Sequence, residues 1–336
     1  MKRPLVVKLG SSLVVDERGR PRRRLLRQRA AEIADVVAGG TPVCVVSSGA
    51  IALGLSRLGV TKRPTALPRL QAASALGQAA LQRAWQDALK PYGLEAAQIL
   101  LTSAEIGDRR AYVNIRHAFN ALFTLGAVPV VNENDATATD EISFGDNDAL
   151  AAQVAVLLRA RLLVLLTSVE GVLHEGVLIE DGAQARSAVF GAASALGRGG
   201  MESKVAAAEL AADAGIPTVI AGDAPLAELV AAGGTRFAPG DSAPAFKLWL
   251  RHGKRVVARV QVDEGARKAI VGGGASLLAV GIAGWDRDFR AGDGVELVGP
   301  DGRAFARGIA SVDAREAAGR PANVEAVHRD RLVLLR

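Results

Sequence analysis

Runs of five or six apolar residues recur along the first two thirds of the chain. Between them, apolar residues fall at helical spacing. The runs are PLVVKL (4–9), PVCVVS (42–47), AAQILL (96–101), AVPVV (127–131), LLVLLT (162–167) and IPTVIA (216–221). Each is nearly continuous rather than alternating, the pattern of a strand covered on both faces. The intervening periodicity predicts helices near 22–38, 49–58, 68–90, 111–125, 147–160 and 202–214. Strand and helix in alternation predict an α/β fold with a mostly parallel open sheet covered on both sides. VLHEGVLI (172–179) breaks the rhythm and predicts a short hairpin turning at Glu175-Gly176, with His174 on the surface beside it.

After residue 235 the texture changes. RFAPGDSAPAFK (236–247) reads as a connecting segment with two prolines. Beyond it come short strand-like runs separated by Gly-rich turns: RVVARVQV, SLLAVGI, GVELVG, AFARGIA and RLVLL. We therefore expect two domains, 1–245 and a small β-rich one at 254–336.

Composition narrows the function classes. Of the 336 residues, 49% are hydrophobic, enough for a sizeable core. The one cysteine, Cys44, lies inside an apolar run, so it reads as a core residue and neither a disulfide nor a metal site. The apolar run after MKRP is too short for a secretory signal, and no run reaches the roughly 18 residues of a membrane span. The expectation is a soluble, cytoplasmic protein with no membrane partner. Net charge is +6. The densest basic cluster, PRRRLLRQR (21–29), reads as the polar face of a helix whose apolar face carries Leu25, Leu26, Ala30 and Ile33. Only 8 of the 41 basic residues are lysines, so a Lys inside a motif suggests that a compact ammonium is needed there.

Against that basic background, VVNENDATATDEISFGDNDAL (130–150) holds Glu133, Asp135, Asp140, Glu141, Asp146 and Asp148 with no Lys or Arg. A helix cap needs one acid, not six. Ligands of an open parallel sheet bind beyond the carboxyl ends of its strands, so the residues just after each strand matter most. The first strand ends in VVKLGSS, with Lys8 before Gly10, and the second in VVSSGAIALG. Ser47 and Ser48 there could offer an anion site or merely a helix cap. LLVLLT runs into Thr167-Ser168, and LGRGGMESK supplies a glycine-rich turn followed by Lys204. No Walker A loop occurs, and no GxGxxG follows the first strand.

Together VVKLGSS, VVSSGAIALG, VPVVNENDATATDEISFGDNDALAA, VLLTS, GRGGMESK and VDEGARKAIVGGGASLL resemble the amino acid kinase family over nearly the whole chain. NENDA with GDND points to the branch that phosphorylates the side chain of L-glutamate at the start of proline synthesis. The segment from about 256 resembles a PUA domain. The resemblance implies a three-layer αβα kinase fold, ATP with Mg²⁺, and no general base, since a carboxylate nucleophile is already ionised.

By that resemblance, Lys8, Gly10, Asp148 and Lys204 are catalytic, with Asp148 between the lysines. Ser48, Asp135 and Asn147 hold glutamate. Lys8, Thr167, Ser168, Arg198, Gly199, Gly200, Met201, Glu202, Ser203 and Lys204 bind ATP. No metal ligand is assigned. The pattern departs from the family at Ser168, where an Asp is usual, and in the loop after it. Feedback inhibition by proline, coupling to glutamyl-phosphate reductase and a dimer or tetramer built through the kinase domain are implied as well. The alternatives are a sibling kinase, of the acetylglutamate type, and an RNA-binding PUA protein with a secondary kinase core.

Overall fold

β1 (Leu5–Leu9) is buried along its whole length, and its side chains serve two different cores. Leu5, Val7 and Leu9 point into one, while Val6 points into the other. The same period-two split runs through β2 (Val43–Ser47), where Val43 and Val45 face one core and Cys44 and Val46 the other. Burial holds the Cys44 thiol far above its ordinary pKa. This is why the runs in the sequence are continuous: both faces of the sheet are covered.

The computed structural model describes residues 2–335, except 103–104, 107, 138–146, 191–199, 241–246, 248–249, 252–255 and 320. It divides into two units, Met1–Ser242 and Ala243–Arg336. In the first, β3 (Ala96–Leu101), β4 (Val128–Glu133), β5 (Leu162–Leu166), β8 (Thr218–Ala221) and β9 (Thr235–Phe237) join β1 and β2 in one sheet. Its order is β3-β4-β2-β1-β5-β8-β9, parallel throughout except for β9, which runs antiparallel to β8. β9 runs into the start of the segment the sequence reads as connector, and it ends the sheet at three residues. β6 (Val172–His174) and β7 (Val177–Ile179) form the separate hairpin, with Glu175 and Gly176 both at positive φ.

Helices α1 (Ser11–Val14), α2 (Arg23–Ala38), α3 (Ala50–Arg57) and α4 (Leu67–Leu89) follow the first two strands. Then come α5 (Arg109–Thr124), α6 (Asn147–Leu158), α7 (Gly182–Phe190), α8 (Gly200–Asp213) and α9 (Leu226–Ala231). Phe119 of α5, Leu150 and Val154 of α6 and Val205 of α8 pack on the Val6 side. Leu26 and Ile33 of α2, Leu53 of α3 and Trp85 of α4 pack on the Leu5 side. The result is a three-layer αβα unit.

Two contacts in the second layer depart from ordinary packing. A Cβ added to Gly54 would lie 1.7 Å from the Ala73 carbonyl oxygen, and one added to Gly77 would lie 1.8 Å from that of Ala50. α3 and α4 thus meet main chain to main chain, which only glycine allows at both crossings. On α2, the basic cluster is not all solvent face. Arg29 is 1% exposed, ion-paired to Glu32 and Asp223, and donates to the Ala224 carbonyl.

The second unit contains β10 (Val256–Val262), β11 (Leu277–Leu278), β12 (Ile282–Trp285), β13 (Gly294–Val298), β14 (Ala304–Ile309), β15 (Glu325–Val327) and β16 (Leu332–Leu334). A five-stranded sheet runs β12-β10-β13-β14-β16, and β11 pairs with β15. Leu297, Val260 and Ala306 centre its own core. α10 (Glu264–Gly273) was not legible as a helix among the strand-like runs; the Asp263 carboxylate caps it through the Ala266 N–H at 2.7 Å. The short α11 (Ala314–Ala318) completes this β-rich unit.

Candidate functional site

Parity along β1 places the first functional side chain. Lys8 shares the face of Val6, the face that α6 and α8 cover. Asp148 lies in the first turn of α6, where the helix dipole favours a carboxylate. Lys204 lies one turn into α8. The Lys8 Nζ is 2.6 Å from Asp148 Oδ1, and the Lys204 Nζ is 3.1 Å from Asp148 Oδ2. All three are buried. One carboxylate therefore spaces two ammonium groups, and these three groups sum to +1. Lys204 also donates to the Gly200 carbonyl at 3.2 Å, and Ser203 Oγ lies 3.5 Å from Asp148 Oδ2.

Gly10 follows directly. A Cβ at that position would stand 3.8 Å from the Lys8 Nζ, and one at Gly200 would stand 4.0 Å from the Lys204 Nζ. Both glycines keep the space beside an ammonium group clear of side chains. Such a cradle suits a large anion approaching two cations and nearby backbone N–H groups.

A second cluster lies beyond the ends of β2 and β4. The Asn147 side-chain amide donates to Ser48 Oγ at 2.9 Å and to Asn132 Oδ1 at 3.1 Å, and its oxygen accepts the Glu133 N–H at 3.3 Å. Asn132 in turn donates to Gln78 Oε1 at 2.9 Å. Ser74 donates to Asp135 Oδ2 at 2.6 Å. The other carboxylate oxygen, Asp135 Oδ1, is buried without a hydrogen-bond partner among the described residues. Burial raises the Asp135 pKa, while the Ser74 hydrogen bond and the Arg63 charge pull it back down. Ser11, Ser48, Arg63, Asn132, Asp135 and Asn147 line a cavity of about 260 Å³ here. That is smaller than the roughly 300–1,000 Å³ of sites for drug-sized ligands, and it suits an amino acid. A buried carboxylate oxygen with no donor fits an ammonium group.

Neither Ser47 nor Ser48 caps α3, which removes the capping alternative. Gly49 is the N-cap residue, at φ 119°. Ser47 accepts from Trp85 Nε1 at 2.9 Å and donates to the Ser48 carbonyl at 3.2 Å. Ser48 is left facing Asn147 and the cavity.

Among the residues expected at ATP, Thr167 sits just past β5, its N–H bonded to the Ala221 carbonyl at 2.8 Å, and Ser168 is exposed next to it. Gly200, Met201, Glu202, Ser203 and Lys204 form the first turns of α8. Arg198 and Gly199 lie outside the described residues, as do Asp140, Glu141 and Asp146. Glu133, the remaining acid of the stretch, is buried at the end of β4. Sequence reasoning missed Arg63, Ser74, Gln78 and Asn132. Ser74 and Gln78 did leave a trace: they are polar residues on the α4 stripe that runs from Leu70 to Leu81 and Trp85.

No group of three or more His, Cys, Asp or Glu with metal-binding arrangement occurs among the described residues. They offer no dedicated metal cage. No helix among them is long and apolar enough to cross a membrane.

The amino acid kinase family model matches residues 3–222, and the PUA domain model matches residues 258–322. The glutamate 5-kinase of Sphingopyxis alaskensis is 44% identical over 360 aligned residues, covering 98% of this chain and 97% of its own. That of Myxococcus xanthus is 40% identical, covering 99% and 96%. Among solved structures, carbamate kinase from Giardia lamblia bound to AMP-PNP matches at a TM-score of 0.52 and 17% identity, over 71% of this chain and 99% of its own. That last likeness is one of fold.

Proposed function

The chain belongs to the amino acid kinase family, and from that premise we propose that it transfers the γ-phosphoryl group of ATP to the side-chain carboxylate of L-glutamate, giving L-glutamyl 5-phosphate. The observation that carries this reading is the shared Asp148 carboxylate between Lys8 and Lys204, beside a small cavity with an unsatisfied carboxylate oxygen on Asp135.

The substrate's ammonium group would take the open Asp135 oxygen, and its oxygens would meet Ser48 and the Asn147 amide. The side-chain carboxylate is then the nucleophile. Its oxygen forms a bond to the γ-phosphorus as the bond from phosphorus to the bridging oxygen of ADP breaks. No proton has to be removed, so no general base is needed. Lys8 and Lys204 neutralise charge on the phosphoryl group in flight and on the leaving oxygens. Asp148 keeps the two ammonium groups apart and aimed. Gly10 would donate its N–H nearby. The nucleotide would lie along Thr167, Ser168 and the start of α8, and Arg198 and Gly199 would contribute to binding it. Mg²⁺ bound to the phosphates would screen their charge.

The family reading extends to a cytoplasmic setting, self-association through residues 1–245 rather than the 254–336 domain, inhibition by proline, and delivery of the product to glutamyl-phosphate reductase. An ATP-dependent hydroxamate assay across glutamate, aspartate and N-acetylglutamate, with and without L-proline, tests the core proposal. Turnover with glutamate alone is expected. Turnover only with N-acetylglutamate would overturn it.

A further inference from the structure

The basic cluster at 21–29 takes no part in the chemistry described above. The fold gathers part of it with cations from elsewhere in the chain. Arg23 and Arg27 of α2, Arg57 of α3, Arg83 of α4 and Lys90 just after it line one cavity of about 980 Å³. The only acid on its wall among the described residues is Asp87. Five cations and one anion leave +4 in a single cavity, in a chain whose net charge is +6. Among the described residues, Arg23, Arg27, Arg83 and Lys90 have no carboxylate within ion-pair distance. Among the described residues, Arg57 donates only to the Leu76 carbonyl. Arg23 also stands in the first turn of α2, where a cation opposes the helix dipole and no acid offsets it. Like charges collected this way repel one another unless an anion joins them.

The rest of the wall is small and apolar, with Ala80, Ala84 and Ala88 on one face of α4. Guanidinium forks match phosphate oxygens in pairs, and an alanine floor accepts a flat or apolar group. We propose that this cavity binds a small polyphosphate, separate from the ATP used in catalysis. Its exposed cations converge from α2, α3 and α4 on one concave spot rather than running as a stripe along one helix, which favours a compact ligand over an extended nucleic acid strand. The site begins one residue beyond Gln78, on the helix that also carries Ser74.

The test is calorimetric titration of the full chain in about 150 mM salt, where purely diffuse attraction is screened. A non-hydrolysable ATP analogue is added first, then inorganic tripolyphosphate. Two equivalents of analogue identify a nucleotide ligand. One of analogue followed by one of tripolyphosphate identifies an inorganic one. In either case, the R27E/R83E variant is expected to bind the second equivalent at least about tenfold more weakly while keeping the first. The R27Q/R83Q variant, without charge reversal, should show a smaller loss in the same direction. A single equivalent of analogue with no tripolyphosphate binding overturns the proposal. So does a second equivalent indifferent to both variants, or a cavity that takes tRNA and no polyphosphate.

Discussion

The two halves of the site solve opposite electrostatic problems. On the proposed phosphoryl side, Asp148 pairs with both Lys8 and Lys204, and these three groups together carry one positive charge in excess. On the proposed amino acid side, Ser48, Asn147, Asn132 and Gln78 form a neutral network, and Asp135, which lines the same cavity, has one oxygen without a donor among the described residues. One half is internally paired but net positive across its three groups, which suits an anion. The other is left incomplete and waits for a cation. A buried charge is costly unless compensated, so the same physics gives a rigid trio in one place and a raised pKa in the other. The first arrangement suits rate, the second suits selection.

The strongest way to break this comparison is Lys8→Ala. Loss of one preorganised charge at the reacting phosphoryl group is expected to lower kcat by about 10²–10³-fold or more, with KM for glutamate little changed and the circular dichroism spectrum intact. Near-normal turnover would remove Lys8 from the chemistry. Asp148→Asn comes next. It removes the carboxylate that both lysines share, and truncating one side of a buried ion pair costs about 3–5 kcal/mol. Urea unfolding should register that loss together with a drop in kcat, whereas an unchanged midpoint would mean the lysines find other compensation.

Asp135→Asn should act on the other half alone, raising KM for glutamate by about tenfold or more and leaving KM for ATP nearly unchanged. Equal changes in both would dissolve the division of labour. The pH dependence carries its own sign. Burial raises the folded-state pKa of Asp135 above the ordinary value of 3.8. Protonated Asp135 is thus favoured by folding. Its contribution to stability is full below the ordinary pKa and lost as pH rises through the raised one. Binding needs the ionised form, so kcat/KM for glutamate should fall on acidification at a pH above that of an ordinary Asp. The smallest effect belongs to Ser74→Ala. Removing the hydroxyl from Asp135 Oδ2 should push that acidic limb to higher pH and raise KM for glutamate by only a few fold, about 1 kcal/mol. A limb that does not move would show that Ser74 does not tune the carboxylate.

How much of this was legible depended on where the information sits along the chain. Doubly covered strands write themselves as continuous apolar runs, and six of the seven strands of the large sheet read that way, including the half-buried edge strand β3. β9 did not, because a three-residue edge strand containing Arg236 has too little pattern to stand out from a connector. α10 was hidden by its low apolar content and its neighbours' strand-like runs. Lys8, Asp148 and Lys204 could be singled out because each stands at a strand end or in the first turns of a helix. Ser74 and Gln78 could not, since their partners Asp135 and Asn132 lie 61 and 54 residues away. Local spacing carries no record of such a pairing. Arg29 was misplaced for the same reason: its partner Asp223 is 194 residues distant.

The meeting of α3 and α4 at Gly54 and Gly77 has a consequence for substrate choice. Contacts between side chains have slack, because a rotamer can turn or a larger residue can be offset by a smaller one opposite. A contact between two main chains has none, and no substitution across the gap can make room. α3 starts directly after Gly49, next to Ser48, and α4 carries Ser74 and Gln78, so this joint fixes the distance between the supports of the two ends of the cavity. The pair of glycines is in effect the gauge block of the enzyme, a dimension set by backbone alone, against which an amino acid one methylene too short would be measured.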